Sequence, residues 1–153
     1  MIYPMSSEAS QWSSRLLENN WIAKTPAKIA VLDALHGSAK RHLSAEQLCA
    51  VMLDNGARPG LSTLKNAIYE LASAGVLARV LVQEKNNRTQ TYYELADQPF
   101  HRHLYCIRCG TLDEVFNEEF ENVLLKHFHD HGLRPANVDL AMVGICANCA
   151  TPR

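Results

Sequence analysis

No stretch of this chain approaches the roughly 18–20 consecutive apolar residues needed to cross a bilayer. The opening, MIYPMSSEASQWSSRLLENN, has neither the basic start nor the long apolar core of a secretion signal. The cytoplasm is therefore the expected compartment, with no membrane partner. Strong charge of either sign is missing as well: 15 Lys and Arg stand against 16 Asp and Glu, a formal net charge of −1. Net charge thus points to no class of partner and falls short of a strongly basic domain. Internal repeats and low-complexity segments are absent. Cysteine is sparse, five residues in 153, yet four of them form two close pairs. In a reducing compartment such pairs are metal ligands or redox groups more often than disulfides.

What is present suits a folded protein, 47% apolar and 20% charged, with room for one ordinary domain or two small ones. Charge is unevenly spread. Through Leu95 there are ten Lys and Arg against eight Asp and Glu; from Ala96 onward, five against eight. The first excess is a weak sign of nucleic acid, and the acidic second part suits cation binding or plain solubility.

Helix signals fill the first half. SSEASQWSSRLLENNW, from Ser6, forms a first amphipathic helix. In KTPAKIAVLDALHGS, Thr25 is the N-cap and Pro26 the first helical residue, with Ile29, Val31, Leu32 and Leu35 as an apolar stripe and Gly37 as a stop. In LSAEQLCAVMLDNG, Ser44 and Gln47 make a capping box, Leu48, Cys49, Met52 and Leu53 face inward, and Gly56 ends the helix. A further helix, LSTLKNAIYELASAG, buries Leu64, Ala67, Ile68, Leu71 and Ala72 and closes at Gly75. The period then switches to two: VLARVLVQ and TQTYYEL, joined by EKNNR, predict a hairpin. Helices followed by a two-stranded wing are the winged helix-turn-helix pattern, which aims its last helix at the DNA major groove.

ADQPF is the boundary, with Pro99 breaking the strand. The expected domains are therefore 1–95, a hinge at 96–100, and 101–153. In the last, HLYCIRCGTLDEVF predicts two strands around Cys109-Gly110, and NEEFENVLLKHFHDHG a helix with Phe120, Val123, Leu124 and Phe128 inside. NVDLAMVGIC predicts a final strand. The fold class is α+β, a winged-helix domain followed by a small α/β domain. A domain of about fifty residues expects a metal staple or a partner subunit.

Cys106-x-x-Cys109 and Cys146-x-x-Cys149 are the strongest chemical signal. Two residues between cysteines let both sulfurs converge on one ion, and two such knuckles complete a tetrahedral zinc site with no open position, structural rather than catalytic. The competing reading is a redox dithiol, which normally sits alone at a helix N-terminus. Cys49 reads as a core residue. His101 and His103, two apart, point the same way in an extended segment, and Glu94 lies seven residues earlier across the proline turn. Together they offer nitrogen and oxygen ligands suited to Fe(II), Mn(II), Zn(II) or Ni(II). A His-x-His beside a boundary is also compatible with two independent side chains.

The order helix, TPAK, RHLSAEQL, helix, wing, YYEL, HRHLYCIRCG, helix, CANC resembles the ferric uptake regulator (Fur) family, from about Leu17 to Cys149. The resemblance implies a dimeric, metal-sensing transcription factor, not an enzyme. Its first domain binds a double-stranded DNA operator, its second dimerises, and it takes no small-molecule substrate. It further implies a regulatory site on His42, Glu94, His101 and His103, beside structural zinc on Cys106, Cys109, Cys146 and Cys149. Iron-type members carry an additional site with a His directly before the HxH segment and an Asp inside it. Here those positions are Phe100 and Arg102, which cannot serve, although Glu121 matches that site's glutamate. Glu114 could be a further ligand but reads more simply as an exposed acid, and His127, His129 and His131 as surface residues.

The recognition helix departs from the family pattern S-x-A-T-V-Y-R. In GLSTLKN, Ser62 and Thr63 fit, whereas Lys65 and Asn66 stand in place of Tyr and Arg. Lys can contact phosphate or guanine and Asn can pair with adenine; alternatively, both are simply solvated. The expected function is a metal-dependent transcriptional regulator, a repressor of metal homeostasis sensing Fe2+, Mn2+ or Zn2+. The family's zinc-uptake branch often places a cysteine in the sensory site and none lies near Glu94, so the resemblance leans toward iron or manganese. Peroxide sensing fits the same ligands. The alternatives are a zinc-stapled dimer acting through protein partners and a CxxC redox protein.

Overall fold

The structure, a computed structural model, describes residues 7–136 and 138–151. The expected start of the first helix at Ser6, the start of the last strand at Asn137, and the outermost residues of both predicted domains lie outside that range. The residues fall into two compact units, one running to Ala78 and including Tyr92–Asp97, the other made of Arg79–Thr91 and the chain from Gln98 onward.

In the first unit α1 spans Ser7–Asn19, α2 Pro26–Gly37, α3 Ala45–Asp54 and α4 Leu61–Ser73. Helix α2 starts as expected: Thr25 accepts a hydrogen bond from the Lys28 N–H and Pro26 occupies the first turn. It is more than a stripe, however. From Ala27 to Leu35 it is buried almost all round, because α1, α3 and α4 all pack on it. Two charged groups are buried with it and both are satisfied. Lys28 donates to the Ala23 carbonyl (3.1 Å) and pairs with Glu70, while Asp33 accepts from Ser10 (3.0 Å) and Ser13.

Helix α3 carries the predicted capping box, with the Gln47 N–H donating to Ser44 Oγ (3.2 Å) and the Ser44 N–H to Gln47 Oε1 (2.9 Å). Leu48 and Met52 are buried. Leu53, expected inside, is half exposed, because it sits about 100° around the helix from Met52. Cys49 is only partly buried, packed against the core. Removing the box with Ser44→Ala should cost about 1 kcal/mol, read from the denaturation midpoint.

The exit from α1 is less usual. Ile22 N–H bonds the Leu17 carbonyl (2.9 Å) and Trp21 N–H the Glu18 carbonyl (3.1 Å), a Schellman ending. Trp21 therefore takes the left-handed position, at φ +56°, and is 96% exposed. Glycine is the residue for that backbone, so Trp21→Gly should raise stability by about 0.5–1 kcal/mol in the same measurement.

A two-residue strand β1 (Leu43–Ser44) precedes α3. Strands β2 (Leu77–Gln83) and β3 (Thr89–Leu95) each lie partly in this unit. Leu43 pairs with Tyr93 and Ser44 with Tyr92, antiparallel, and the Ala96 N–H closes on the Val76 carbonyl at 3.0 Å. Helices wrapped on a common apolar core, with a strand ladder beside them, make this a winged-helix unit.

In the second unit the hairpin tip EKNNR turns through Asn86 and Asn87, both at positive φ, and closes by the Glu84 N–H on the Arg88 carbonyl (2.8 Å). Asparagine tolerates that region better than most residues. Strand β4 (Arg102–Cys106) is the centre of a three-stranded sheet, antiparallel to β5 (Leu112–Val115) and parallel to β7 (Met142–Gly144). The predicted single last strand is divided. Its first part, β6 (Val138–Leu140), pairs in parallel with β2, and only then does the chain pass to β7. Buried Ala141 makes the step, its N–H bonded to the Leu81 carbonyl at 2.9 Å. Periodicity shows alternation but not a change of partner strand.

Helix α5 (Glu118–Asp130) is capped by Asn117, which accepts from the Phe120 N–H (2.9 Å). Acids sit in its first turn and histidines in its last, as its dipole favours. The expectation that Phe120, Val123, Leu124 and Phe128 lie inside does not hold in the single chain. None is buried: Phe120 and Val123 are exposed, and Leu124 and Phe128 are partly covered. The stripe exists, but one copy of the unit offers no surface to cover it. A short helix α6 (Ala147–Ala150) ends the described chain. Among the described residues no helix is long and apolar enough to cross a membrane.

Candidate metal centres and helix face

The four cysteines converge. Cys106 ends β4, Cys109 lies in the turn after it, Cys146 caps α6 and Cys149 sits within α6; their sulfurs lie within 4.8 Å of one another. Gly110, at φ +76°, lets the turn close, with its N–H on the Cys106 carbonyl at 2.8 Å. The two knuckles are tied directly by the Cys146 N–H donating to Cys106 Sγ (3.3 Å). A tetrahedron with metal–sulfur bonds of about 2.3 Å has sulfur–sulfur edges of about 3.8 Å, and Cys109 Sγ and Cys146 Sγ are 3.8 Å apart. The donor set therefore fits a thiophilic tetrahedral ion. Cys146 does stand at a helix N-terminus, as a redox dithiol would, but its sulfur faces those of the other pair.

The thiols are unequal. Backbone N–H groups of Cys146 and Cys109 aimed at Cys106 lower its pKa to about 6. Cys109 is lowered by its contacts with the Thr111 hydroxyl and N–H. Cys149 is pushed up to about 12, first by its contact with Cys146 and then by burial.

The imidazoles and carboxylates of the second expected site are paired within each unit. In the first, His42 Nε2 lies 2.9 Å from Glu94 Oε2, both side chains less than a tenth exposed. In the second, His101 Nε2 and His103 Nε2 face each other at 3.1 Å. The outer nitrogen of each ring is committed. His101 Nδ1 lies 2.8 Å from the Pro99 carbonyl oxygen, and His103 Nδ1 lies 2.8 Å from Asp139 Oδ2. Both partners only accept, so each Nδ1 carries a proton and each ring turns its Nε2 toward the other. Two lone pairs at that distance repel unless a proton or cation lies between them. An ion about 2.1 Å from each nitrogen, at octahedral angles, holds them about 3 Å apart. The pair therefore fits a divalent ion.

Glu114 is not the exposed acid expected. It is opposite His103 in the β4–β5 register, three-quarters covered, with Oε1 3.9 Å from His101 Nε2. Arg102, which cannot ligate, instead grips Glu121 with two nitrogens (3.1 Å each) and Asp139 with a third (2.6 Å). Burial works against the charge on Arg102, but these carboxylates outweigh it and hold its pKa above the ordinary value. Asp139 is likewise pushed up by burial but held below the usual carboxylate range by hydrogen bonds from His103 and Arg102. Sequence reasoning missed Asp139; an acid between Val138 and Leu140 in an otherwise apolar strand was the available signal. His127, His129 and His131 are exposed, as expected.

On α4, Leu64, Ala67, Ile68 and Leu71 are buried, and Ser62, Thr63, Lys65 and Asn66 are exposed on the N-terminal half. Tyr69, 73% exposed one turn beyond Lys65, extends the same face and went unnoticed in the sequence. Gly60 caps the helix without a side-chain bond, and no acid lies in the first turn.

A winged-helix unit followed by a unit with a closed sulfur cage and paired metal-ready imidazoles defines the class, a metal-dependent transcriptional regulator. The chain belongs to the ferric uptake regulator family, whose model matches residues 21–143. The ferric uptake regulation protein of Neisseria meningitidis serogroup A is 29% identical over 133 residues, covering 87% of this chain and 90% of that protein. The structure of the ferric uptake regulator from Pseudomonas aeruginosa with manganese is similar with a TM-score of 0.70 at 21% identity, over 88% of this chain and 98% of that one. A zinc uptake regulator complexed with zinc and DNA is similar with a TM-score of 0.60 at 23% identity, over 96% and 95%. These structural likenesses establish the fold.

Proposed function

We propose that this chain is a cytoplasmic homodimeric repressor of metal homeostasis that binds an operator when a second divalent ion is loaded. Zinc sits on Cys106, Cys109, Cys146 and Cys149 and staples the dimerisation domain. The regulatory ion takes His42 and Glu94 from the winged-helix domain and His101 and His103 from the other. Such an ion favours interdomain arrangements that bring those ligands together, and so sets the spacing of two recognition helices on successive half-sites. The observation that carries this reading is the His101–His103 pair, two ring nitrogens facing at 3.1 Å. Nitrogen and oxygen ligands accept Fe(II), Mn(II) and Zn(II) in turn, so cellular supply selects the occupant.

A second copy covers the apolar surface that one chain leaves open, including Phe116, Phe120, Val123, Leu133, Leu140 and Val143, each at least 44% exposed. Ser62, Thr63, Lys65 and Asn66 read DNA, with Tyr69 on the same face.

Selection from a random duplex pool, with Fe(II), Mn(II) or Zn(II) and with chelator, tests the proposal. A two-fold symmetric sequence should be enriched only with metal. On that sequence, Lys65→Ala should weaken binding and flatten the salt dependence, and Asn66→Ala should lose about 1–3 kcal/mol of discrimination at one base. No enriched sequence under any ion at low salt would leave the partner-protein reading standing instead.

A further inference from the structure

We propose that Asp139 and Arg102 are positioning residues for His103, Asp139 fixing the ring's tautomer and Arg102 holding Asp139 in place. The inference rests on reading His101 and His103 as metal ligands, and it assigns a task to two residues that cannot themselves complete that site.

The geometry divides the Asp139 carboxylate between two neighbours. Oδ2 accepts from both the backbone N–H (3.2 Å) and Nδ1 (2.8 Å) of His103, while Oδ1 accepts from Arg102 Nη1 (2.6 Å). The remaining guanidinium edge lies flat on Glu121, and the Phe100 ring is stacked under its carbon at 4.7 Å. Arg102 comes from β4, Glu121 from α5 and Asp139 from β6, so one planar cation ties the buried strand β4 to two elements that bury no residue of their own. A fork of this kind fixes orientation as well as charge. His103 is 1% exposed, so its Nδ1 faces Asp139 and not bulk solvent.

Without Asp139 the ring is free to move its proton to Nε2, the atom that must be bare to ligate. Outer hydrogen bonds of this kind set ligand tautomer and basicity, and their loss typically lowers metal affinity about 10–100-fold. Arg102 acts only through Asp139, by preventing the carboxylate from turning away. It also balances one of the two negative charges that Glu121 and Asp139 place beside the site, which keeps the anions from repelling each other and parting α5 from β6.

The test uses the full-length, zinc-loaded protein and Co(II) as probe. Imidazole 15N shifts are recorded before Co(II) is added, and affinity and the visible spectrum are recorded during titration. The wild type should show His103 protonated at Nδ1. Asp139→Ala should mix in the Nε2-protonated form and lower Co(II) affinity about 10–100-fold with zinc content unchanged. Arg102→Met should give a smaller loss, which disappears in the Asp139→Ala background, and Arg102→Lys should recover part of it. Asp139→Asn keeps the side-chain shape and serves where the alanine variant fails to fold; it should also weaken Co(II) binding, because its amide cannot accept from both neighbours.

An unchanged tautomer and affinity in Asp139→Ala and Asp139→Asn would overturn the proposal, and additive Arg102 and Asp139 effects would overturn the role of Arg102. Failure of the underlying reading looks different. His103→Ala would then leave Co(II) binding intact, even with the wild-type ring protonated at Nδ1.

Discussion

Cys106→Ser is expected to strip the zinc and, with it, the fold of the second unit and the dimer. Cys106 is 5% exposed, ends the central strand β4, and accepts the Cys146 N–H that ties the two knuckles together. Two of the unit's elements add little burial of their own. Helix α5 buries no residue, and β7 is exposed along its whole length. A structural zinc site contributes about 10–16 kcal/mol of binding free energy at neutral pH, as large as the whole stability of a typical domain, about 5–15 kcal/mol. Serine is a poor zinc ligand, so three sulfurs cannot replace four. Zinc per chain, mass in solution and thermal unfolding should all change together, while the helices of the first unit persist. A Cys106→Ser protein that stayed dimeric and kept its zinc would remove the cage from the account of the fold.

Acid should act on the same site with a definite sign. The pKa of Cys106 is lowered from 9.0 to about 6, so its stabilising contribution is complete above the ordinary thiol range and disappears as pH falls through about 6. Cys149, at about 12, is still protonated at neutral pH without metal and must release its proton on loading. Zinc uptake in weakly buffered solution should therefore acidify it, and apparent zinc affinity should fall as pH drops, more steeply below about 6, where Cys106 too must give up a proton on loading.

Much of this was legible before any coordinates. Capping chemistry is local, so Thr25, Pro26, Ser44 and Gln47 announced their helices at the right residues. The cysteine pairs were legible because the ligand spacing is itself the geometry. Burial was less legible where it depends on a partner. The pattern of α5 is that of a packed helix, yet its cover is not in this chain. The strand from Val138 to Gly144 reads as one element because alternation is the same whether a strand keeps one neighbour or changes it at Ala141. Asp139 stood out only as an acid in an apolar strand, because its value lies in meeting Arg102 and His103, 37 and 36 residues away. Only the resemblance, and no spacing, put His42 in one expected site with residues 101 and 103.

His101→Ala is expected to separate the two metal functions: zinc content, dimer and fold stay, and the metal-dependent part of DNA affinity goes. His101 is the better of the two imidazoles to remove. His103 is buried and bonded to Asp139, so its loss would also open a cavity and take a hydrogen bond from that carboxylate. His101 bonds outward to the Pro99 carbonyl at the start of its strand. Deleting it takes one of two facing nitrogens and leaves a single imidazole from this unit, too few to hold an ion against chelation by the cell. An ion can bias the interdomain arrangement only by the difference in its affinity for the alternatives. A hundredfold preference corresponds to about 2.7 kcal/mol. Fluorescence anisotropy on the selected operator should show that difference vanish in His101→Ala at saturating Mn(II), converging on the affinity of the chelated wild type. Lys65→Ala, by contrast, should lower both the metal-loaded and metal-free curves, because it removes a DNA contact and leaves the switch. If His101→Ala instead lost its zinc and fell apart as Cys106→Ser does, one metal function would explain both sites, and the division between a permanent staple and an exchangeable signal would have to be abandoned.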